Sequence, residues 1–167
     1  MIDINALACS RAENVPQGAI AWIDSLPTPV FVLAGTPSED GDEPEAFLMD
    51  LGGDQPFDIW KAGEVTGRPA FYVRGVRLEV DIASSQAMVS TTDRRGQAFV
   101  AHDSRGLIGM RNAGRPGARH GAAVTMAGDP YHVAHSGQAF SFTRWRIIHG
   151  EGDSAITIFE HDGEAPL

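Results

Sequence analysis

The chain has 167 residues, of which 43% are hydrophobic and 21% charged, and its formal net charge is -9. This is the composition of an ordinary soluble globule, and the length predicts a single β-rich domain spanning residues 1–167. The negative charge disfavours nucleic acid as a partner, because phosphate repels an acidic protein. The one cysteine, Cys9, excludes an intramolecular disulfide and a Cys-rich metal centre. We expect neither a metal nor a cofactor.

Targeting and membrane signals are missing from the sequence. Its start has no basic region followed by a long apolar one, and no stretch approaches 18 uninterrupted apolar residues. Those two patterns mark secretory signals and transmembrane helices. We therefore expect a cytoplasmic protein, or one assembled in the cytoplasm, that makes no membrane contact.

The first predicted element is a short helix over residues 3–13. Asp3 is a suitable N-cap, and Ala6, Leu7 and Ala8 favour helix. Cys9 is expected to be a small packing residue in this helix. Short β-like segments follow at residues 19–24, 29–34 and 46–51, separated by Pro- and Gly-containing turns.

Residues 76–82 carry the clearest strand signal, because apolar and charged side chains alternate there without a break. A period of two places Val76, Leu78, Val80 and Ile82 on one face and the charged residues on the other. The preceding Gly75 is a plausible position for a bulge or kink.

Several short strands are predicted in the second half of the chain. A hairpin turn at residues 92–96 joins strands near 88–91 and 98–101, and residues 107–110 form another strand. Gly128-Asp129-Pro130 is a turn, and residues 155–160 form the last strand. The run 139–148 has a register fault near Thr143 that a bulge would repair. The aromatic residues predicted to be core are Phe71, Phe99, Phe140, Phe142, Trp145 and Phe159.

Many short strands at this spacing, with no long helical pattern between them, favour an all-β, mostly antiparallel fold. The predicted architecture is a β-sandwich or barrel with a short N-terminal helix.

Charge is distributed in blocks along the chain. Residues 39–58 contain eight acidic residues and no Lys or Arg, whereas residues 94–119 contain six arginines and one acid. Such blocks predict head-to-tail contacts between copies of the chain, in a ring or filament. In this hypothesis Arg111, Arg115 and Arg119 pair with Glu39 to Glu45 of a neighbour. A solvated Gly-rich loop and a site for a small anion are the alternatives for the arginine segment.

A second candidate site is a polar pocket for an anionic small molecule, formed by His102, Asp129, His132 and Arg144. His132 and His135 have a spacing that ligates metal on a helix, but on a strand they point to opposite faces. Gly-x-Ser-x-Gly and His-Glu-x-x-His are absent. Paired carboxylates are expected to lie mostly in acidic, hydrated segments, where burial does not raise a pKa.

These patterns favour a non-catalytic β-rich assembly subunit that acts through protein–protein contacts as a homo-oligomer, of the kind found in virus- or phage-like structures. The alternative is a small enzyme or ligand-binding domain that uses the His/Asp/Arg pocket. A nucleic-acid-associated factor that uses the arginine segment ranks third, because of the net charge.

Overall fold

The computed structural model describes residues 7–36, 45–52, 56–87, 98–100, 106–109, 123–131 and 140–163. Within these ranges every strand pairing is antiparallel, and the helical segments are 3₁₀ turns of three or four residues. The strands are β1 (Ala8–Arg11), β2 (Ile20–Ile23), β3 (Val30–Thr36), β4 (Glu45–Asp50), β5 (Ile59–Lys61), β6 (Pro69–Val73), β7 (Val76–Val80), β8 (Ser85–Ala87), β9 (Ala98–Val100), β10 (Gly106–Gly109), β11 (Ala123–Thr125), β12 (Pro130–Tyr131), β13 (Phe140–Phe142), β14 (Trp145–His149) and β15 (Ile156–His161).

Sheet A has the strand order β1-β6-β2-β3-β4-β5 and is buried on both faces at its centre. Its central strands come from nearly continuous apolar runs, which is typical of strands without a solvent face. Phe31 and Leu33 enter the larger core cluster, whereas Val30 and Val32 enter a second cluster on the opposite face. That second cluster also contains Ala12 and Val65, from the 3₁₀ turns Ala12–Asn14 and Ala62–Val65.

Two further sheets pack against sheet A. Sheet B has the order β12-β11-β10-β9-β13-β8, and sheet C has the order β15-β14-β7. The larger core cluster joins Phe31 of sheet A to Ile108 of sheet B and Ile147 of sheet C. All three of these side chains have essentially no exposure. One face of sheet A is therefore covered by both of the other sheets.

In the described ranges the chain changes sheet at three corners. It leaves sheet A for sheet C at Gly75, whose φ of +65° is in the left-handed region that favours glycine. It passes from sheet C to sheet B through residues 81–84, and returns to sheet C at residues 143–144. The last two corners are bonded together: the buried Ser84 Oγ donates to the Asp81 carbonyl oxygen (2.8 Å) and accepts from the Arg144 amide (3.0 Å).

The prediction of a mostly antiparallel β protein is confirmed, and the described residues form no closed barrel. The predicted helix over residues 3–13 is not found in the described residues, where only Ala12 and Glu13 lie in a 3₁₀ turn. Ala8–Arg11 form β1, which pairs with β6 in the register Cys9↔Phe71, and residues 1–6 lie outside the described ranges. Pairing with a sheet edge outweighs the weak helix preference of a few residues.

Several side chains differ from their predicted positions. The alternation over Val76–Val80 is confirmed, but Ile82 is 79% exposed because the chain turns into a 3₁₀ segment after Asp81. Phe71 and Phe140 are 42% and 63% exposed rather than core, and Cys9 is exposed on β1. Phe142 and Trp145 are buried as predicted, and the fault between them is a change of sheet rather than a bulge.

The predicted hairpin turn at residues 92–96 and the predicted strand at 88–91 lie outside the described residues. Of the described strands, β13 lies between β8 and β9 in sheet B, so β8 and β9 are not partners. In the described part of the chain, no helix has the length and apolar character needed to span a bilayer.

Candidate functional site: a charged groove on sheet C

A groove of about 400 Å³ lies at one end of sheet C, where three consecutive residues of each strand region form its lining. Arg146 of β14 is opposite Glu79 of β7 and Glu160 of β15. One step beyond, Asp81, Arg144 and Asp162 repeat the same acid–arginine–acid order. Because alternate residues of a strand share a face, the two rows lie side by side on the face of sheet C away from the core.

Ion pairs hold both arginines toward the β7 side of the groove. Arg146 Nε and Nη2 donate to Glu79 Oε2 at 2.9 and 2.7 Å, and Arg144 Nη2 lies 2.7 Å from Asp81 Oδ2. The Asp81 amide also donates to the Arg144 carbonyl oxygen at 3.0 Å. The position of each arginine is therefore fixed by its cross-strand neighbour.

The inner wall of the groove is aromatic. His161 is opposite Trp145 in the β14–β15 pairing, and its ring lies 5.6 Å from the Trp145 ring and 5.5 Å from the Phe57 ring. Burial lowers the pKa of His161, and the charge of Asp162 only partly offsets that effect. The lowered pKa favours the neutral imidazole over the charged form.

The groove has a net negative charge. Four carboxylates and two guanidiniums line it, which is unfavourable for an anion and favourable for a cation. Among the described residues, no group of three or more His, Cys, Asp or Glu has an arrangement that could hold a metal ion. The chemistry that this site supports is therefore recognition of a cationic group by fixed carboxylates.

Of the residues predicted from sequence to bind a ligand or partner, the structure describes two, and it does not bring them together. Arg144 lines the groove, whereas Asp129 lies in the β11–β12 turn and accepts a hydrogen bond from Gln17 Nε2 at 2.7 Å. The other five predicted residues lie outside the described ranges: His102, Arg111, Arg115, Arg119 and His132.

A half-buried carboxyl group was missed by the sequence analysis. Asp50, at the end of β4, is half-buried, and desolvation together with the charge of nearby Asp58 raises its pKa. The buried Trp60 Nε1–H favours the charged form of Asp50, although its geometry does not meet the criteria for a hydrogen bond. Asp50 is therefore an exception to the expectation that the carboxylates lie mostly in hydrated segments. The available signal was the apolar residues on both sides of Asp50.

An aromatic pair formed by the exposed Phe71 and the partly buried Trp22 lies on sheet A, near its β1 edge. The rings of Trp22 and Phe71 are stacked, with centroids 5.4 Å apart and planes 12° apart. These residues are directly opposite in the β2–β6 pairing, and Cys9 of β1 is the next neighbour in the same row. Exposed aromatic side chains of this kind are enriched at protein–protein interfaces.

Comparison with known families assigns the chain. The sequence profile of the Y4lG family, described as "Uncharacterised protein y4lG", matches residues 29–167. The chain belongs to the Y4lG family. The matched range contains β3 to β15, and so it includes every strand that lines the groove. No curated protein and no solved structure matches the chain.

Proposed function

We propose that this Y4lG-family protein is a non-catalytic β-rich interaction subunit, in which sheets B and C pack on sheet A as a sandwich and the groove on sheet C binds a cationic segment of a protein partner. The observation that carries the proposal is the repeated acid–arginine–acid order across three strands. Rigid neighbouring strands hold these charges, which limits the entropy lost when a partner binds.

Three further features support a binding role for this face. The core-facing side of sheet C is filled by Trp145 and Ile147, so the opposite side is available for contacts. β15 is an edge strand of sheet C, and the groove reaches that edge. Ion pairs with Asp81 and Glu79 hold Arg144 and Arg146 in place, so the pattern of charges across the groove is ordered before a partner binds.

Binding of a cationic probe tests the proposal directly. Fluorescein-labelled nona-arginine is titrated with the full chain at 50 mM NaCl, and anisotropy is recorded. We expect saturable binding, weakened about tenfold by 300 mM NaCl because salt screens exposed charges. The double variant Glu160→Gln/Asp162→Asn is expected to bind about tenfold more weakly than the unmodified chain, in line with the loss of two favourable charge contacts.

The matched control is Glu151→Gln/Asp153→Asn, which removes the same number of charges from exposed positions before β15, away from the groove. It is expected to bind within about twofold of the unmodified chain, because distant surface charges are screened. Absence of binding, or equal losses in the two double variants, contradicts the proposal.

A small molecule is the second candidate ligand, favoured by the groove volume of about 400 Å³, which lies in the range of small-molecule sites. The net charge of the lining makes a cation such as an alkylguanidine or a polyamine a better ligand than the anion predicted from sequence. Thermal shift with spermidine and with citrate separates the two. Stabilisation by citrate alone would favour an anionic ligand.

A further inference from the structure

The chain contains its own candidate for the cationic segment. Residues 94–119 have six arginines and one acid, and Arg111, Arg115 and Arg119 recur at every fourth position between glycines. Glycine carries no side chain, so a segment of this composition allows close approach of its backbone to another surface. Its charge is complementary to the groove, whose lining has an excess of carboxylates.

The described strands fix where this segment starts and ends. β10 ends at Gly109 and β11 begins at Ala123, and these two residues are register partners. Residues 110–122 therefore connect two adjacent points, and they reach at most about 20 Å from the end of the β10–β11 hairpin.

That end of the hairpin is also the end of sheet B nearest the groove. Ile108 and Phe142 are both register partners of Ala98, so Gly109 and Thr143 lie one residue beyond the same row. β9 alone separates β10 from β13, which places the two chain ends about 10 Å apart. Arg144, which lines the groove, follows Thr143 directly.

We propose, as an extension of the binding role proposed above, that two copies of the chain form a two-fold dimer in which residues 110–122 of each copy bind the sheet C groove of the other. Gly109 and Ala123, between which the arginine segment runs, lie at the same end of the molecule as the groove, and this allows both contacts to form at once about a two-fold axis. Two simultaneous contacts raise the affinity well above that of either alone. A closed dimer of this kind differs from the ring or filament predicted from the charge blocks.

Sedimentation velocity of the full chain tests the proposal. We expect a dimer at 50 mM NaCl whose dissociation constant rises about tenfold or more at 300 mM NaCl, because exposed charges form the contact. The groove variant Glu160→Gln/Asp162→Asn and the segment variant Arg111→Gln/Arg115→Gln/Arg119→Gln are each expected to be monomeric at concentrations where the unmodified chain is dimeric. Glu151→Gln/Asp153→Asn remains dimeric.

Mixing the two monomeric variants is the decisive experiment. The groove variant keeps its arginine segment and the segment variant keeps its groove, so a one-to-one mixture retains one of the two contacts. We expect the mixture to form a heterodimer weaker than the unmodified dimer. If the mixture forms no heterodimer, the proposed exchange of segments between copies is overturned.

The remaining outcomes separate this inference from the proposed function. A monomeric chain that binds nona-arginine overturns the dimer and leaves the groove as a binding site for another partner. A monomeric chain whose segment variant binds nona-arginine more tightly than the unmodified chain shows contact within one copy, and it also overturns the dimer. A chain that neither dimerises nor binds nona-arginine overturns both proposals.

Discussion

Sheet A is buried on both faces at its centre, whereas sheet C packs one face on the core and carries rows of charged residues on the other. Both are antiparallel sheets of short strands, so the difference comes from side-chain pattern alone. Continuous apolar runs such as Val30–Leu33 specify a central sheet, and strict alternation such as Val76–Val80 specifies a sheet with a free face. Sheet A thus contributes to the core from both of its faces, and the outer face of sheet C carries the groove for which we propose a binding role.

The largest effect is expected from the centre of sheet A. Phe31 has no exposure and belongs to the larger core cluster, so Phe31→Ala should lower the free energy of unfolding by about 3–5 kcal/mol. Urea unfolding followed by tryptophan fluorescence measures the loss, and Phe31→Leu gives a smaller loss if the alanine variant does not fold. A loss below about 1 kcal/mol would contradict the central role of this sheet.

A glycine pair tests how tightly sheet B is joined to sheet A. Gly128 and Gly67 both have positive φ. A Cβ at Gly128 would lie 2.7 Å from the Val32 carbonyl oxygen, whereas a Cβ at Gly67 would have no atom within 4 Å. Gly67→Ala should lower the free energy of unfolding by about 1 kcal/mol and Gly128→Ala by about 2–4 kcal/mol. Equal losses would show that the contact between these two sheets yields easily.

Acid should destabilise the region where sheet C contacts Phe57. Because burial lowers the pKa of His161 in the folded chain, the unfolded chain binds a proton at this site more readily. The stability that neutral His161 contributes is fully present above its unfolded-state pKa of about 6.5. This stability is lost as the pH falls toward the lower pKa that His161 has in the folded state. Urea midpoints of the unmodified chain and His161→Gln, measured from pH 8 to pH 5, should differ in slope below about pH 6.5. Parallel curves would show that His161 does not titrate as described.

The smallest effect is expected on the outer face of sheet C. Glu79 and Arg146 form a partly exposed pair, so Glu79→Gln should change the free energy of unfolding by about 0–1 kcal/mol. Ile147→Ala, next to Arg146 on the opposite face, is the matched control and should cost about 2–5 kcal/mol. Urea unfolding of both variants measures the contrast. Similar losses would mean that the charged rows are part of the stabilising structure.

The fold class was predictable because side-chain periodicity is a local property. β2, β4, β7, β10 and β15 coincide with predicted segments within one or two residues. The segments whose secondary structure was not predicted correctly depend on partners that are distant in sequence. Whether residues 8–11 form a helix or a strand is decided by β6, some sixty residues later, and no local pattern records that pairing.

The candidate site was predictable only in parts. The charged face of β7 and the single residue Arg144 were identified from sequence, but not their relation to Glu160 and Asp162. The visible signals were alternating charge and aromatic residues at 144–146 and 160–162. The missing information was the order β15-β14-β7, because a period of two shows which residues share a face and not which strands are neighbours.

The strand order of sheet C has a consequence for synthesis on the ribosome. β7 is made early, but its hydrogen-bonding partner β14 begins at Trp145, and β15 is complete only at His161. Throughout that interval the nascent β7 lacks β14, its partner among the described strands, and such unpaired segments are prone to aggregate. The pairing of β7 with β14 is therefore a late, long-range step of folding.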